Sequence, residues 1–247
     1  MTDQPTLKQQ AEDFAGELTQ TVHAVVADSP PFKVDSVDGG SKFVIQQDSK
    51  TGIELTVDSK PLLSLLVNYR CTADSKKRFL AVDKSAIAVY PGLQAQKEPL
   101  FRYEYQRDAS QTPSAHLHIH AHRDAFTATM VRAGQTTKRG AKRAEDDPVP
   151  SLKELHFPLG GSRFRPCLED VLEMLIEEFG LDHDKGPNGS REALRIGRAA
   201  WRRRQTGAAV RNDPESAANA LRELGYDVKN PGEDVFSTVN YDRLKRM

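Results

Sequence analysis

A run of alternating histidines is the feature of this sequence that could most directly do chemistry. Four of the seven histidines fall in the string HLHIHAH, at His116, His118, His120 and His122. Successive side chains of a β-strand point to opposite faces, so the four imidazoles would share one face and the intervening apolar residues the other. The pattern predicts a strand that packs its apolar face on the core and presents its imidazole face for another use.

Two neighbouring imidazoles on this face could bind a metal ion. Alternate strand residues lie about 6.5–7 Å apart, whereas residues four apart lie about 13 Å apart, so the four histidines cannot share one ion. A site therefore needs one adjacent pair and a further ligand. We expect His118 and His120 to form the pair, with His156, a carboxylate or a water completing it around zinc or manganese.

The same histidines could instead act as acid and base without a metal. Histidine titrates near neutral pH, which suits the cleavage of a phosphodiester by His116, His118, His120 or His122 as catalytic groups. Such a reaction also needs a cation beside the developing negative charge, and Arg163 or Arg165 would supply it if their loop folds over the sheet. A third interpretation is that the imidazoles form the polar face of a strand near the sheet edge.

The segment FPLGGSRFRPCLEDV places a glycine-rich loop before a helix N-terminus. Free backbone amides there favour anions, and arginines add charged donors, so Ser162, Arg163 and Arg165 are predicted to bind phosphate. The lysine and the spacing of a P-loop are missing, which argues against a nucleotide triphosphate site. The alternative is a simple turn whose arginines reach nearby carboxylates. Cys167 lies in the first helical turn, but no histidine is tied to it as a partner.

An arginine-rich helix is predicted in residues 191–212, which hold seven arginines and one acid, Glu192. Arg202 and Arg203 are the candidates to contact a nucleic-acid backbone, with RNA favoured. Residues 166–184 hold seven acids and neither lysine nor arginine. The two segments could therefore neutralise each other, and both interpretations stay open.

The elements that would position these residues indicate an α+β fold: an N-terminal helix, a curved antiparallel meander and C-terminal helices on or beside the sheet. The helix is predicted over 5–28, the strands over about 32–122. KFVIQQ and IELTV predict one hairpin, and RFLAVDKSAIAVYP a second that turns at Asp83-Lys84. In FRYEYQR the aromatic residues alternate with Arg102, Glu104 and Gln106. Later helices are predicted from Pro166 to Gly180, Ser190 to Gln205 and Asp213 to Leu224.

Length and composition bound the class of protein. The 247 residues carry 35 basic and 35 acidic side chains, so a uniformly cationic surface is excluded. Two cysteines exclude a disulfide-rich scaffold and a four-cysteine zinc site. The sequence shows no apolar run that would span a membrane and no secretory signal, so we expect a cytoplasmic protein without membrane association. One α+β domain over 1–247 is expected, divisible into helix plus sheet (1–132), mobile linker (133–150) and strand plus helical subdomain (151–247).

These features together predict an intracellular hydrolase that acts on phosphodiesters, nuclease-like, with a toxin or phage-defence role as one setting. The alternative is a non-catalytic module that binds nucleic acid or protein through the arginine-rich helix. The apolar stripe of the N-terminal helix would serve a protein partner or a homo-oligomer, or simply cover the sheet.

Overall fold

The computed structural model describes most of the chain in two compact units, residues 1–197 and 198–247. The described residues are 5–47, 51–74, 77–93, 95, 98–108, 114–120, 123–134, 136–137, 140–141, 165–229, 239 and 241, with residues 123 and 124 described by their backbone only. His122, His156, Ser162 and Arg163 lie outside these ranges, as do most of the predicted linker and the strand predicted after it.

In the residues that the structure describes, the first unit is built on a seven-stranded antiparallel sheet whose terminal strands, Phe32–Val37 and Ala115–Ile119, do not pair with each other. Its strands are β1 (Phe32–Val37), β2 (Lys42–Gln47), β3 (Ile53–Val57), β4 (Lys60–Ala73), β5 (Leu80–Pro91), β6 (Phe101–Gln106) and β7 (Ala115–Ile119). The order across the sheet is β1-β2-β4-β5-β6-β7, and β3 pairs with β4 outside this path. The strands predicted from LLSLLVNYRC and FRYEYQR are confirmed as β4 and β6. The histidine strand is confirmed for His116 and His118 in β7, which ends at Ile119, before His120.

Both predicted hairpins are wrong, and the length of β4 explains the first. At 14 residues β4 is about 46–48 Å long, enough for two shorter strands placed end to end along one edge. Thus β3 pairs with its first half and β2 with its second half, and the two do not pair with each other. β2 and β3 therefore lie end to end along β4 and do not form a hairpin with each other.

The second predicted turn is a β-bulge within one continuous strand. The register runs from Arg70 opposite Lys84 to Cys71 opposite Val82, so Asp83 is an extra residue on β5. Its carbonyl accepts from the backbone amide of Arg107 at 2.8 Å. A bulge and a turn share the same polar sequence signal, because both interrupt regular strand pairing.

The α-helices of the described chain include α1 (Leu7–His23), α2 (Arg123–Arg132), α3 (Leu168–Phe179), α4 (Ser190–Asn212) and α5 (Pro214–Glu223), and a short 3-10 helix spans Asp38–Gly40. The α+β class is confirmed, although α2 was not predicted and α4 extends beyond Gln205. Cys167 is the N-cap of α3, so Pro166 precedes the helix instead of opening it; Gly180 ends the helix at φ 71°. Asp213 caps α5 as predicted. The boundary between the units falls within α4.

The core of the first unit lies against one face of the sheet. The central strands contribute odd-numbered residues, such as Val67, Ile87 and Tyr103, which pack with Leu18 of α1 and Leu172 of α3 in one cluster. Because side chains alternate along a strand, the even-numbered residues of β6 and β7 lie on the opposite face. The histidines are therefore outside the main core. In the described ranges, none of the helices has the length and apolar character needed to cross a membrane.

Candidate metal centre

The register between β6 and β7 brings charged residues of one strand opposite histidines of the next. Glu104 lies opposite His116, and Arg102 lies opposite His118. Directly opposed side chains of antiparallel strands have Cβ atoms about 4.5–5.5 Å apart and point to the same face. The alternation in FRYEYQR and in the histidine run therefore places charged side chains and imidazoles together on one face of the sheet.

Three potential metal ligands converge in this patch. Oε2 of Glu104 lies 3.3 Å from Nε2 of His116 and 3.1 Å from Nε2 of His118. The ligand atoms of the three residues all lie within 4.8 Å of one another. The two imidazole rings meet edge to face, with centroids 4.8 Å apart. The side chain of His116 is 18% exposed and that of His118 44%, so solvent reaches the group from the His118 side.

The second oxygen of the same carboxylate is held by an arginine. Nε of Arg102 lies 2.8 Å from Oε1 of Glu104. Since Oε1 faces the guanidinium and Oε2 faces both imidazoles, the carboxylate is oriented across the strand pair. An ion bound at Oε2 would meet a monodentate carboxylate whose other oxygen is paired with Arg102. We refer to Arg102, Glu104, His116 and His118 as the β6–β7 cluster.

His120 belongs to a different contact. Its Nδ1 lies 2.6 Å from Oε1 of Glu98, and its ring centroid is 6.2 Å from that of His118. Its backbone amide donates to the carbonyl of Leu100 at 3.1 Å. Of the metal ligands expected from the sequence, the structure thus brings His118 into the cluster and engages His120 with Glu98. The other two potential ligands are Glu104 of β6 and His116.

Arg165 lies on the other face of the sheet from the β6–β7 cluster. Its guanidinium stacks over the ring of Tyr105, 4.0 Å from the centroid. Tyr105 shares its face with Tyr103 of the core, whereas Glu104 points the opposite way. Burial lowers the pKa of the Arg165 guanidinium. The cation expected beside the histidines is accordingly Arg102 and not Arg165.

Neither cysteine is an activated thiol. Burial raises the pKa of Cys71 to about 12. Burial also raises the pKa of Cys167, and the neighbouring carboxylates of Glu169 and Asp170 act in the same direction. The Cys167 thiol donates to Oδ2 of Asp170 at 3.1 Å. Desolvation and negative charge thus outweigh the helix dipole, which by itself would lower the thiol pKa.

Within the first unit, an ion pair joins the acidic and arginine-rich segments. Arg191 at the start of α4 forms an ion pair with Glu177 of α3. Arg195 contacts Glu192 on its own helix at 3.5 Å. Arg202 and Arg203, in the second unit, have exposed side chains. Partial neutralisation between the two helices therefore coexists with exposed arginines farther along α4.

Three residues of this region were not identified from the sequence: Arg102, Glu104 and Glu98. The alternation of FRYEYQR already assigned Arg102 and Glu104 to one polar face, which was the available signal. The alternation does not show which strand lies beside β6 or in what register, so it could not place Glu104 next to the histidines. Glu98 precedes β6 in a loop, and no periodicity marks it.

Comparison with protein-family models, with curated proteins and with solved structures finds no match for this chain, so its functional interpretation starts from the β6–β7 cluster itself.

Proposed function

We propose that Glu104, His116 and His118 bind a zinc ion and that the chain is a metal-dependent phosphodiester hydrolase. The observation that carries the proposal is the approach of both Nε2 atoms to one carboxylate oxygen, at 3.3 and 3.1 Å. Zinc bonds of about 2.0–2.1 Å in a tetrahedron place ligand atoms about 3.3 Å apart. Two of the three ligand separations therefore match zinc, and the two imidazole nitrogens lie within 4.8 Å of each other.

The composition of the cluster favours zinc over harder ions. Two imidazoles and one carboxylate suit zinc, whereas magnesium and calcium prefer oxygen ligands. Manganese stands below zinc in intrinsic affinity for such ligands. Three protein ligands also leave a fourth position for water, which is the arrangement typical of catalytic rather than structural zinc sites.

A zinc ion held by Glu104, His116 and His118 would supply the nucleophile for hydrolysis of a phosphodiester, because zinc lowers the pKa of a bound water to about 7. The oxygen of that water would form a bond to phosphorus, and the ester P–O bond opposite it would break. The leaving alkoxide takes a proton from water, and the products are a phosphomonoester and an alcohol.

Metal binding is tested by removing bound ions with a chelator and titrating zinc against a chromophoric competitor. The wild-type chain should bind one zinc, and Glu104→Gln and His118→Ala should each weaken binding at least tenfold. His120→Ala is the matched control, because its imidazole contacts Glu98 outside the cluster, and it should keep the wild-type affinity. Loss of zinc in His120→Ala with retention in Glu104→Gln would contradict the proposed ligand set.

Hydrolysis is tested separately with bis(p-nitrophenyl) phosphate and with single-stranded RNA and DNA. The zinc-loaded chain should cleave at least one of them, and both chelation and Glu104→Gln should remove the activity. A zinc-loaded chain that cleaves none of these phosphodiesters would reduce the proposal to zinc binding alone.

A second candidate function is nucleic-acid binding through α4, which the exposure of Arg202 and Arg203 favours. Each phosphate contact releases counterions, so affinity for a single-stranded RNA should fall steeply with salt. Replacing both arginines by glutamine should weaken binding and reduce the salt dependence, while Glu104→Gln should change neither. Binding that is independent of salt would exclude this candidate.

A further inference from the structure

We propose that Arg102 binds a phosphoryl oxygen of the substrate beside the zinc ion, through its terminal guanidinium nitrogens. This inference rests on the proposed function and deepens it, because it assigns the group that selects a phosphate-containing substrate. The sequence alone pointed to Arg163 and Arg165 for this task. Of these, Arg165 lies on the opposite sheet face, over Tyr105.

The position of Arg102 in the sheet provides the first argument. It lies directly opposite His118, the more exposed of the two histidine ligands, and two residues from Glu104 on the same strand face. A ligand at the open zinc position would therefore be a near neighbour of the guanidinium. The side chain of Arg102 is itself 32% exposed, so solvent and a ligand can reach it.

The guanidinium also has donors to spare. Nε forms an ion pair with Oε1 of Glu104 at 2.8 Å that lacks hydrogen-bond geometry, and within the described part of the chain no hydrogen bond or second ion pair of Arg102 is seen. On the adjacent strand β5, the residues opposite Arg102 and Glu104 are Ala88 and Ala86. Their methyl groups offer no acceptor that would compete for Nη1 and Nη2. A planar fork of two donors matches a phosphoryl group in bidentate geometry.

Charge balance provides the second argument. In the metal-free cluster, the carboxylate of Glu104 offsets the guanidinium of Arg102. Zinc adds two positive charges at the same carboxylate, and neutral imidazoles contribute none. The loaded cluster is then strongly cationic and favours an anionic ligand. Arg102 would thus pair with the Glu104 carboxylate through Nε and bind a phosphoryl oxygen of the substrate through Nη1 and Nη2.

A simpler role for Arg102 would be to orient Glu104 and nothing more. The two roles differ in what a substitution changes. An orienting residue affects zinc affinity, but once zinc is saturated it leaves anion affinity unaltered. A substrate-binding residue affects anion affinity at saturating zinc, and lysine should replace it only in part, since an ammonium keeps the charge but loses the fork.

The experiment titrates inorganic phosphate into the zinc-loaded chain, without free zinc, and follows binding by phosphorus NMR. Arg102→Gln should weaken phosphate binding about ten- to hundredfold, the range expected for hydrogen bonds to a charged group. Arg102→Lys should fall between Arg102→Gln and wild type. Arg70→Gln is the matched control: Arg70 is an exposed arginine on the same sheet face, on β4, and its loss should change binding less than twofold.

Three results would overturn the inference. The first is unchanged phosphate affinity in zinc-saturated Arg102→Gln, which would leave Arg102 as a positioning residue for Glu104. The second is acetate binding as tightly as phosphate with the same dependence on Arg102, which would assign the site to carboxylates. The third is a wild-type chain that binds no zinc, in which case the proposed function fails first and is identified as the failure by the zinc titration.

Discussion

Replacing Gly197 with alanine should destabilise the first unit, although alanine is the better helix former. Gly197 lies in α4 where this helix approaches Glu169 of α3. A Cβ added there would lie 2.8 Å from Oε1 and 3.1 Å from Cγ of Glu169. Glu169 is only 9% exposed, and its Oε1 accepts a hydrogen bond from Thr21 at 3.0 Å. The new methyl group would therefore displace a carboxylate that is held in place.

The magnitude follows from three contributions. Alanine in place of glycine in a helix stabilises by about 1 kcal/mol. Overpacking a well-filled site costs about 1–3 kcal/mol. A lost hydrogen bond to a charged group costs a further 1.5–3 kcal/mol or so. The net change in the free energy of unfolding is therefore a loss of about 1.5–5 kcal/mol.

The assay is urea unfolding followed by far-ultraviolet circular dichroism. Gly16→Ala is the matched control, because Gly16 is also helical and lies in the same unit, and its added Cβ would have no neighbour within 4 Å among the described residues beyond its own helical backbone. It should stabilise by about 0.4–1 kcal/mol. Combining Gly197→Ala with Glu169→Ala should cost less than the sum of the single changes. A midpoint for Gly197→Ala at or above that of Gly16→Ala would show that the side chain of Glu169 gives way to the methyl group without cost.

The remaining predictions concern the loops and the thiols. Gly189→Ala should lower the urea midpoint, since its Cβ would lie 2.4 Å from the backbone carbonyl oxygen of Asp184. Asp182→Ala should cost about 1–2 kcal/mol and speed amide exchange in the turn between β3 and β4, because its carboxylate accepts from two turn amides at 3.1 and 2.8 Å. Both cysteines should resist Ellman's reagent at pH 8 until urea is added. Because the pKa of Cys71 is raised to about 12, the folded chain keeps a proton that the unfolded chain releases above about pH 8.5. Stability should therefore fall as pH rises above this value, and less steeply in Cys71→Ala.

Local sequence patterns correctly predicted the features that depend on residues within a single strand or helix. The alternation in FRYEYQR and in the histidine run assigns side chains to faces, because period two is a property of any extended strand. Helix ends such as Asp213 and Gly180 were also readable, since caps depend on side chains within one turn. The charged face of Arg102 and Glu104 was recognised on the same basis.

Partners at a distance were not readable from these patterns. The first predicted hairpin failed because local patterning does not show which strand lies beside which. The second predicted hairpin failed because Asp83, which indicated a turn, is the extra residue of a β-bulge in β5. Similarly, the loop arginines were expected to join the histidines, and only packing decided that Arg165 faces Tyr105 instead.

Local patterning was enough to assign the α+β class, the imidazole face of the histidine run and the shared face of the charged residues in FRYEYQR. The folded sheet then places Glu104 opposite His116, His120 beside Glu98 and Arg102 next to Glu104. This difference arises because the backbone geometry within one strand sets which of its side chains share a face. The choice of cross-strand partner is set by long-range pairing and register, to which the whole sheet and its core contribute.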